Sequence, residues 1–337
     1  MSHKQILIVQ TAFIGDVILA TGLIEKLHQH YPEVAIDFAL RKGNESLLKN
    51  HPKLRRVHVW DKNGGKYKNL FKLIGKIREQ RYDLVVNVQR FANSGMLTAF
   101  SGAKETIGFD KNPFSWRFTK KIAHRIEEGV HEIVRNHELI KALTDDEPHK
   151  PVLYPSPEDF EKVATYTAQP FVCMAPASVW FTKQYPKEKW IELIKAFPEA
   201  KIYLLGAPGD KALCDEIIAA GGKESATNLC GEMNLLQSAA LMKSAVVNYV
   251  NDSAPMHLAS SVNANTCAIF CSTVPEFGFG PLSDFAAVVE VSEDLDCRPC
   301  GLHGKKACPK GHFKCGYDID TQKLLVVFEK AKSIKND

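Results

Sequence analysis

The stretch Ile6-Leu7-Ile8-Val9-Gln10-Thr11-Ala12-Phe13-Ile14-Gly15-Asp16-Val17-Ile18-Leu19-Ala20 decides the fold. Ile6 to Val9 is a short unbroken apolar run, the signature of a strand covered on both faces of a parallel sheet. Thr11 to Gly15 interrupts it, and Val17, Ile18, Thr21, Leu23 and Ile24 then recur at helical spacing. The pattern is strand, tight turn and helix, with Gly15-Asp16 at the turn. Ligands of open α/β sheets bind beyond the carboxyl ends of the strands, which is where Asp16 falls. The unpaired N–H groups of a helix start favour a carboxylate there as the anion. Asp16 is therefore either a helix cap or a catalytic base.

The same alternation continues outward from this stretch. Strands are expected at Ala35–Leu40, Arg56–Trp60 and Asp83–Val88, with an edge strand at Thr106–Phe109. Helices are expected at Lys66–Arg81, Ser94–Phe100 and Glu132–Leu143. Thr144 to Pro157 carries four prolines and a charge cluster and reads as a linker. A second alternation follows, with strands at Phe171–Ala175, Lys201–Gly206, Ala245–Val250 and Thr266–Cys271. Its helices are expected at Glu188–Phe197, Asp210–Ala220, Leu236–Ser244, Pro255–Ser261 and Asp320–Ile334. The fold class is therefore α/β, with two Rossmann-like doubly wound parallel-sheet domains at residues 1–150 and 158–337. Two such halves suit a cleft between the carboxyl edges of two sheets and a reaction joining two ligands.

The chain of 337 residues is 45% hydrophobic and 24% charged, as soluble globular proteins are. No run approaches the ~18–20 apolar residues of a membrane-spanning helix. The N-terminus lacks a signal peptide's apolar segment, so a cytoplasmic protein with reduced cysteines is expected. The net charge of +4 is uneven. Residues 1–150 carry 25 Lys and Arg against 17 Asp and Glu, the remainder 18 against 22. A basic front half suits an anionic partner (membrane surface, phosphorylated lipid or nucleic acid) or is simply a solvated surface.

The first turn carries no G-x-G-x-x-G, and the chain has neither a Walker A lysine motif nor a G-x-S-x-G elbow. Dehydrogenase, P-loop and hydrolase readings all weaken together. In the second half, Tyr249-Val-Asn251-Asp252-Ser253-Ala-Pro-Met-His257 follows a strand and opens a helix. Asn251, Asp252 and Ser253 are strong cap residues, and such a helix start is a ready pyrophosphate or sugar site within reach of His257. Ser178 and Lys183 lie in the loop after the first strand of this half, where a lysine can neutralise a diphosphate. Asp210 reads as a helix cap, and the loop Ser272–Gly280 completes the rim.

The Gly15-Asp16 turn, the Lys183-Gln-Tyr-Pro186 loop and Asn251-Asp-Ser-Ala-Pro-Met-His257 resemble three signatures of glycosyltransferase family 9. These are the bacterial heptosyltransferases of lipopolysaccharide core synthesis, and the chain is most like the heptosyltransferase II branch. Leu229-Cys-Gly-Glu-Met233-Asn-Leu-Leu236 resembles that family's segment near the nucleotide. The resemblance implies a GT-B architecture, with an acceptor-binding N-terminal half and a donor-binding C-terminal half. It implies transfer of a heptose from ADP-heptose, with inversion and with neither a catalytic metal nor a cofactor. Asp16 would be the general base. Ser178 and Lys183 would meet the donor phosphates or the nearby sugar, Asp252, Ser253 and His257 the donor sugar and diphosphate, and Met233 the nucleoside. The acceptor implied is the anionic lipopolysaccharide core and lipid A precursor, met by a cytoplasmic protein peripheral on the inner membrane, with no nucleic acid partner. Ala254-Pro255 stand where the family commonly has Gly-Leu, which bears on the identity of the donor sugar. A relative using another nucleotide sugar such as an N-acetylhexosamine, or a non-catalytic sugar-nucleotide-binding protein, is the alternative.

Two features stand outside that reading. The Cys-rich insert 297–315 places Cys297, Cys300, Cys308 and Cys315 around His303 and His312. It suits either a structural zinc or reduced thiols ordering a loop. The basic amphipathic helix Lys66–Arg81 either lies against anionic lipid or packs on the sheet with its lysine stems spread over the apolar surface.

Overall fold

The computed structural model describes residues 3–198 and 200–336. The chain divides into two compact units, Met1–Tyr154 and Pro155–Asp337. In the first, β1 (Gln5–Val9), α1 (Ile14–His30), β2 (Ala35–Arg41), β3 (Leu54–Trp60), α2 (Lys66–Gln80), β4 (Leu84–Asn87), α3 (Ala92–Ala99), β5 (Glu105–Phe109), β6 (Lys120–Ile122) and α4 (Glu132–His137) follow in order. The strands form one parallel sheet in the order β3-β2-β1-β4-β5-β6. Ile6, Leu7, Ile8 and Val9 are each fully buried, as an inner parallel strand demands. Leu7 and Val9 pack with Leu70, Leu73, Ile74 and Ile77 of α2 and Leu97 of α3, so these two helices share one face of the sheet.

The second unit repeats the plan. It comprises α5 (Pro157–Val163), β7 (Phe171–Ala175), α6 (Lys187–Ala196), β8 (Lys201–Leu204), α7 (Lys211–Gly221), β9 (Ala226–Asn228), α8 (Leu235–Ser244), β10 (Asn248–Asn251), α9 (Ala254–Ser261), β11 (Thr266–Phe270), β12 (Ala286–Glu290), α10 (Lys314–Tyr317) and α11 (Thr321–Asn336). Its parallel sheet runs β12-β11-β10-β7-β8-β9. In both sheets the chain reverses direction of travel beside the first strand, at β1/β4 and at β7/β10. Those are the switch points where open α/β sheets bind ligands.

Several expectations need correction. Thr106–Phe109 is not an edge strand, because β6 pairs outside it. The helix expected to reach Leu143 stops at His137. Beyond it Leu139, Ile140 and Leu143 bond three residues back, and the His137 ring holds the Asp145 carbonyl at 2.6 Å. The Pro-rich segment is no free linker over its first part. Val152 N–H donates to Thr21 Oγ1 (2.9 Å), Tyr154 O–H donates to Glu25 (2.9 Å), and His149 O lies so close that a Cβ on Gly22 would meet it at 2.4 Å. Helices α5 and α10 and strands β6, β9 and β12 are additional to the expected elements. No helix among the described residues is long and apolar enough to cross a membrane.

Candidate active site

At the carboxyl edge of the first sheet, the loop after β1 is held from three sides. Thr11 N–H and Oγ1–H both donate to Gln89 Oε1, at 2.9 and 2.7 Å. Lys62 Nζ donates to Thr11 O (2.9 Å) and Asn44 Nδ2 to Ala12 O (3.2 Å). The loop turns at Phe13, which is the N-cap of α1. Gly15 and Asp16 therefore lie inside the first helical turn rather than at the bend. Asp16 Oδ2 accepts the Phe13 N–H at 3.1 Å, so this carboxylate does cap the helix, from its third position. Capping and standing half-buried at the switch point are compatible, because the same first turn satisfies both.

The surroundings of Asp16 are built from residues the sequence did not flag. Glu132 pairs with Arg135, whose Nε and Nη2 lie 2.8 and 2.6 Å from Oε2. Burial pushes the Glu132 carboxyl up against that pairing, and the negative charge of Asp16 adds to the rise. Burial, followed by the charges of Arg90, Lys111 and Arg135, pushes His124 down to about 4, which keeps its ring neutral near neutral pH. Lys62 is lowered by burial and then by Arg41 and Lys66. Cations therefore crowd this edge of the sheet. Asn112 Nδ2 donates to Gln89 O and Phe91 O (3.0 and 3.1 Å), and α3 can approach it only because residue 95 is glycine. A Cβ there would sit 1.9 Å from Asn112 Oδ1. The available signal was Gln89-Arg90, directly after a buried strand at the switch point.

At the corresponding edge of the second sheet, Lys183 and Asp252 meet. Lys183 Nζ lies 2.6 Å from Asp252 Oδ2, and Thr273 Oγ1–H donates to the same oxygen at 2.7 Å. The expected capping by Asn251 and Asp252 does not occur. Asn251 is the last residue of β10, and its side chain clamps the loop after β7. It accepts Tyr185 N–H (2.9 Å) and donates to Ala175 O and Pro176 O (3.2 and 2.8 Å). Ser253 is the N-cap of α9 but forms no side-chain cap, its Oγ lying 3.4 Å from Asn251 O. His257 is buried in the first turns of α9, facing the Phe279 ring of the glycine loop at 6.3 Å. Ser178 is placed through its carbonyl, which accepts Gln184 Nε2 at 2.6 Å. Met233 stands apart, on the half-exposed loop after β9, two strands away from β7. Asp210 accepts Ala207 N–H at 2.7 Å and so caps its turn.

The Cys-rich insert is fastened to the Lys183 loop through Thr182, which is buried. Thr182 Oγ1 accepts Lys305 N–H (2.8 Å) and Ser272 O–H (2.9 Å). Thr182 N–H donates to Lys305 O (3.1 Å), and its carbonyl accepts Ser272 N–H (3.2 Å). Arg298 donates to Cys271 O and Thr273 O, at 2.7 and 2.8 Å, beside its ion pair with Glu290. Burial and the neighbouring thiols of Cys300, Cys308 and Cys297 push the Cys315 thiol up to about 12. Cys297 Sγ stands 3.8 Å from His312 Nε2, yet among the described residues no group of three or more His, Cys, Asp or Glu closes into a metal site.

The chain is similar to known proteins along most of its length. The family model of glycosyltransferase family 9 (heptosyltransferase) matches residues 70–310. Lipopolysaccharide heptosyltransferase 1 of Pseudomonas aeruginosa is 26% identical over 90% of this chain and 87% of its own length. Lipopolysaccharide heptosyltransferase 2 of Escherichia coli (strain K12) is 23% identical over 95% and 96%. Among solved structures, E. coli ADP-heptose lps heptosyltransferase II superposes with a TM-score of 0.82 at 21% identity, covering 99% of this chain and 100% of that one. The family 9 glycosyl transferase of Veillonella parvula gives 0.86 at 20% identity, covering 98% of each. The fold is thus GT-B, two α/β units each built on one parallel sheet, and the chain belongs to glycosyltransferase family 9, the heptosyltransferases.

Proposed function

We infer that the protein transfers a heptose from an ADP-activated donor to the inner core and lipid A acceptor of lipopolysaccharide, with inversion at the anomeric carbon. The relatives named lipopolysaccharide heptosyltransferases support the substrates. The first unit takes the acceptor and the second the donor. The observation that carries it is the pair of equipped switch points: a carboxylate amid cations at β1/β4 and a lysine held by a buried carboxylate at β7/β10.

In this reading Asp16 takes the proton as the acceptor hydroxyl oxygen attacks the anomeric carbon, worth ~10²–10⁴-fold. The bond from that carbon to the β-phosphate oxygen breaks, and ADP leaves with the electron pair. Lys183 and the first-turn N–H groups of α9, without a metal, meet the charge that grows on the departing diphosphate. Ser178, Ser253 and His257 contact the donor, and Met233 lies by its nucleoside. Arg90, Lys111 and Lys62 suit phosphates or acidic sugars of the acceptor. The protein acts peripherally at the inner membrane, where such an acceptor is anchored.

Asp16→Asn should leave ADP binding near normal while heptose transfer to purified acceptor falls by ~10²-fold or more. Transfer close to wild type would remove Asp16 from the mechanism.

A further inference from the structure

Helix α2 resolves into three rows. Leu70, Leu73, Ile74 and Ile77 are buried against the sheet. Tyr67 and Phe71, four residues apart, are 57% and 60% exposed. Lys68, Lys72 and Lys76 form an exposed row beside them, the first two each directly after an aromatic residue. The helix holds five basic residues, Lys66, Lys68, Lys72, Lys76 and Arg78, and only Glu79 is acidic.

The surface does not end with the helix. Arg78 falls seven residues after Phe71, in the same row, and its Cγ lies 3.6 Å from where a Cβ on Gly102 would sit. That contact brings the aromatic row to Phe100, the C-cap of α3, which is 37% exposed. Trp116, 72% exposed, follows nearby, with the Arg117 guanidinium 4.9 Å from the Phe100 ring and 5.5 Å from the Trp116 ring. Aromatic rings interleaved with cations, on a helix whose other side is fixed to a rigid sheet, match the chemistry of an anionic bilayer surface. The rings enter the headgroup region and the ammonium groups meet lipid phosphates.

We propose that the exposed face of α2, continued by Phe100, Trp116 and Arg117, is a docking surface for anionic phospholipid bilayers. It rests on the lipid-anchored acceptor of the preceding reading and adds to it the face that holds the membrane. Charge selects the partner: a neutral bilayer offers nothing to the lysine row, and a second copy of this chain would set that row against itself.

The test uses the full chain with vesicles of neutral lipid and of neutral lipid mixed with an anionic phospholipid, in the absence of any sugar substrate. The wild type should sediment with the anionic vesicles only, and less so as salt rises. Lys68→Ala and Lys72→Ala should each weaken partitioning about five-fold, and Tyr67→Ser with Phe71→Ser about ten-fold or more. These side chains are exposed, so thermal unfolding should not move. Transfer to acceptor embedded in anionic vesicles should fall in the variants while transfer to delipidated acceptor stays unchanged. Equal sedimentation with neutral vesicles, unchanged partitioning of the variants, or self-association or nucleic acid binding in place of vesicle binding overturns the proposal. Vesicle binding without heptose transfer would instead overturn the activity, leaving the surface standing.

Discussion

Asp252 is a carboxylate beside a proposed diphosphate site, and taken alone it would repel the donor. Its surroundings change that. One oxygen receives both the Lys183 ammonium and the Thr273 hydroxyl, so its charge is met and the lysine is oriented. An ammonium has three N–H donors, and one committed to Asp252 leaves two for phosphate oxygens. Lys183→Ala should weaken ADP binding by about ten-fold or more through loss of a charge-assisted bond. Asp252→Asn keeps a partner for Thr273 but releases the lysine, and ADP affinity should fall by a similar factor. Calorimetric titration with ADP measures both, and tighter ADP binding by Asp252→Asn would show that the carboxylate merely repels. The sequence singles out Lys183 and Asp252 one by one but not their pairing, because 69 positions separate them and only the parallel pairing of β7 with β10 brings their loops together.

The insert shows what an element contributes that no one of its residues does. Cysteines mark it in the sequence, but its visible work is mechanical. Thr182 joins Lys305 of the insert to Ser272 after β11, and Lys183 is the next residue along. Thr182→Val is nearly isosteric yet leaves the buried Ser272 hydroxyl without its acceptor, at about 1–3 kcal/mol, and the part-buried Lys305 N–H with it. We expect donor KM to rise about ten-fold with kcat little changed, and Thr182→Ser to restore it. Steady-state kinetics checks this, and a valine variant with wild-type donor KM would free the loop from the insert. The legible elements carry a local signal, although such a signal is not always enough. Helix α5 also had such a signal, since Ser156 caps it through Asp159 with Pro157 at the first position. Strands β9 and β12 lack one, being short edge strands defined by their neighbours rather than by their own pattern.

Over the whole molecule, the topology is written twice and the charge only once. The first unit balances its basic excess with buried carboxylates. Asp37, fully buried on β2, accepts Arg55 Nε and Nη2 at 2.9 and 2.7 Å and also the Tyr82 hydroxyl. Burial works against its charge, but His58, Arg55 and Tyr82 outweigh it and hold Asp37 at about 2. Glu25 is likewise held at about 2, with His51, Lys53 and Tyr154 overcoming its burial. Both folded values lie below the ordinary carboxyl range, so both groups stabilise the folded state above pH ~4. That stabilisation is lost as pH falls from ~4 through about 2. Urea unfolding followed against pH should show stability dropping across that window. Asp37→Asn should cost about 3 kcal/mol at neutral pH and flatten the drop. An unchanged acid profile in that variant would contradict the assignment.

The sequence by itself determined the class of fold and the doubled strand–helix order, and it singled out the sheet edges where the proposed site residues stand. Those follow from local physics: apolar runs, helical spacing and breakers act within a few residues of themselves. The tertiary structure alone decided what those positions do for one another. Asp16 sits within the helix rather than at its bend, Asn251 clamps a loop instead of capping, and Asp252 is joined to Lys183. Gln89, Asn112, Glu132 and His124 entered the site only once strands remote in sequence had paired. A side chain's partner depends on which strand lies beside its own, and sheet order is set by burying apolar surface over the whole unit rather than by any local signal.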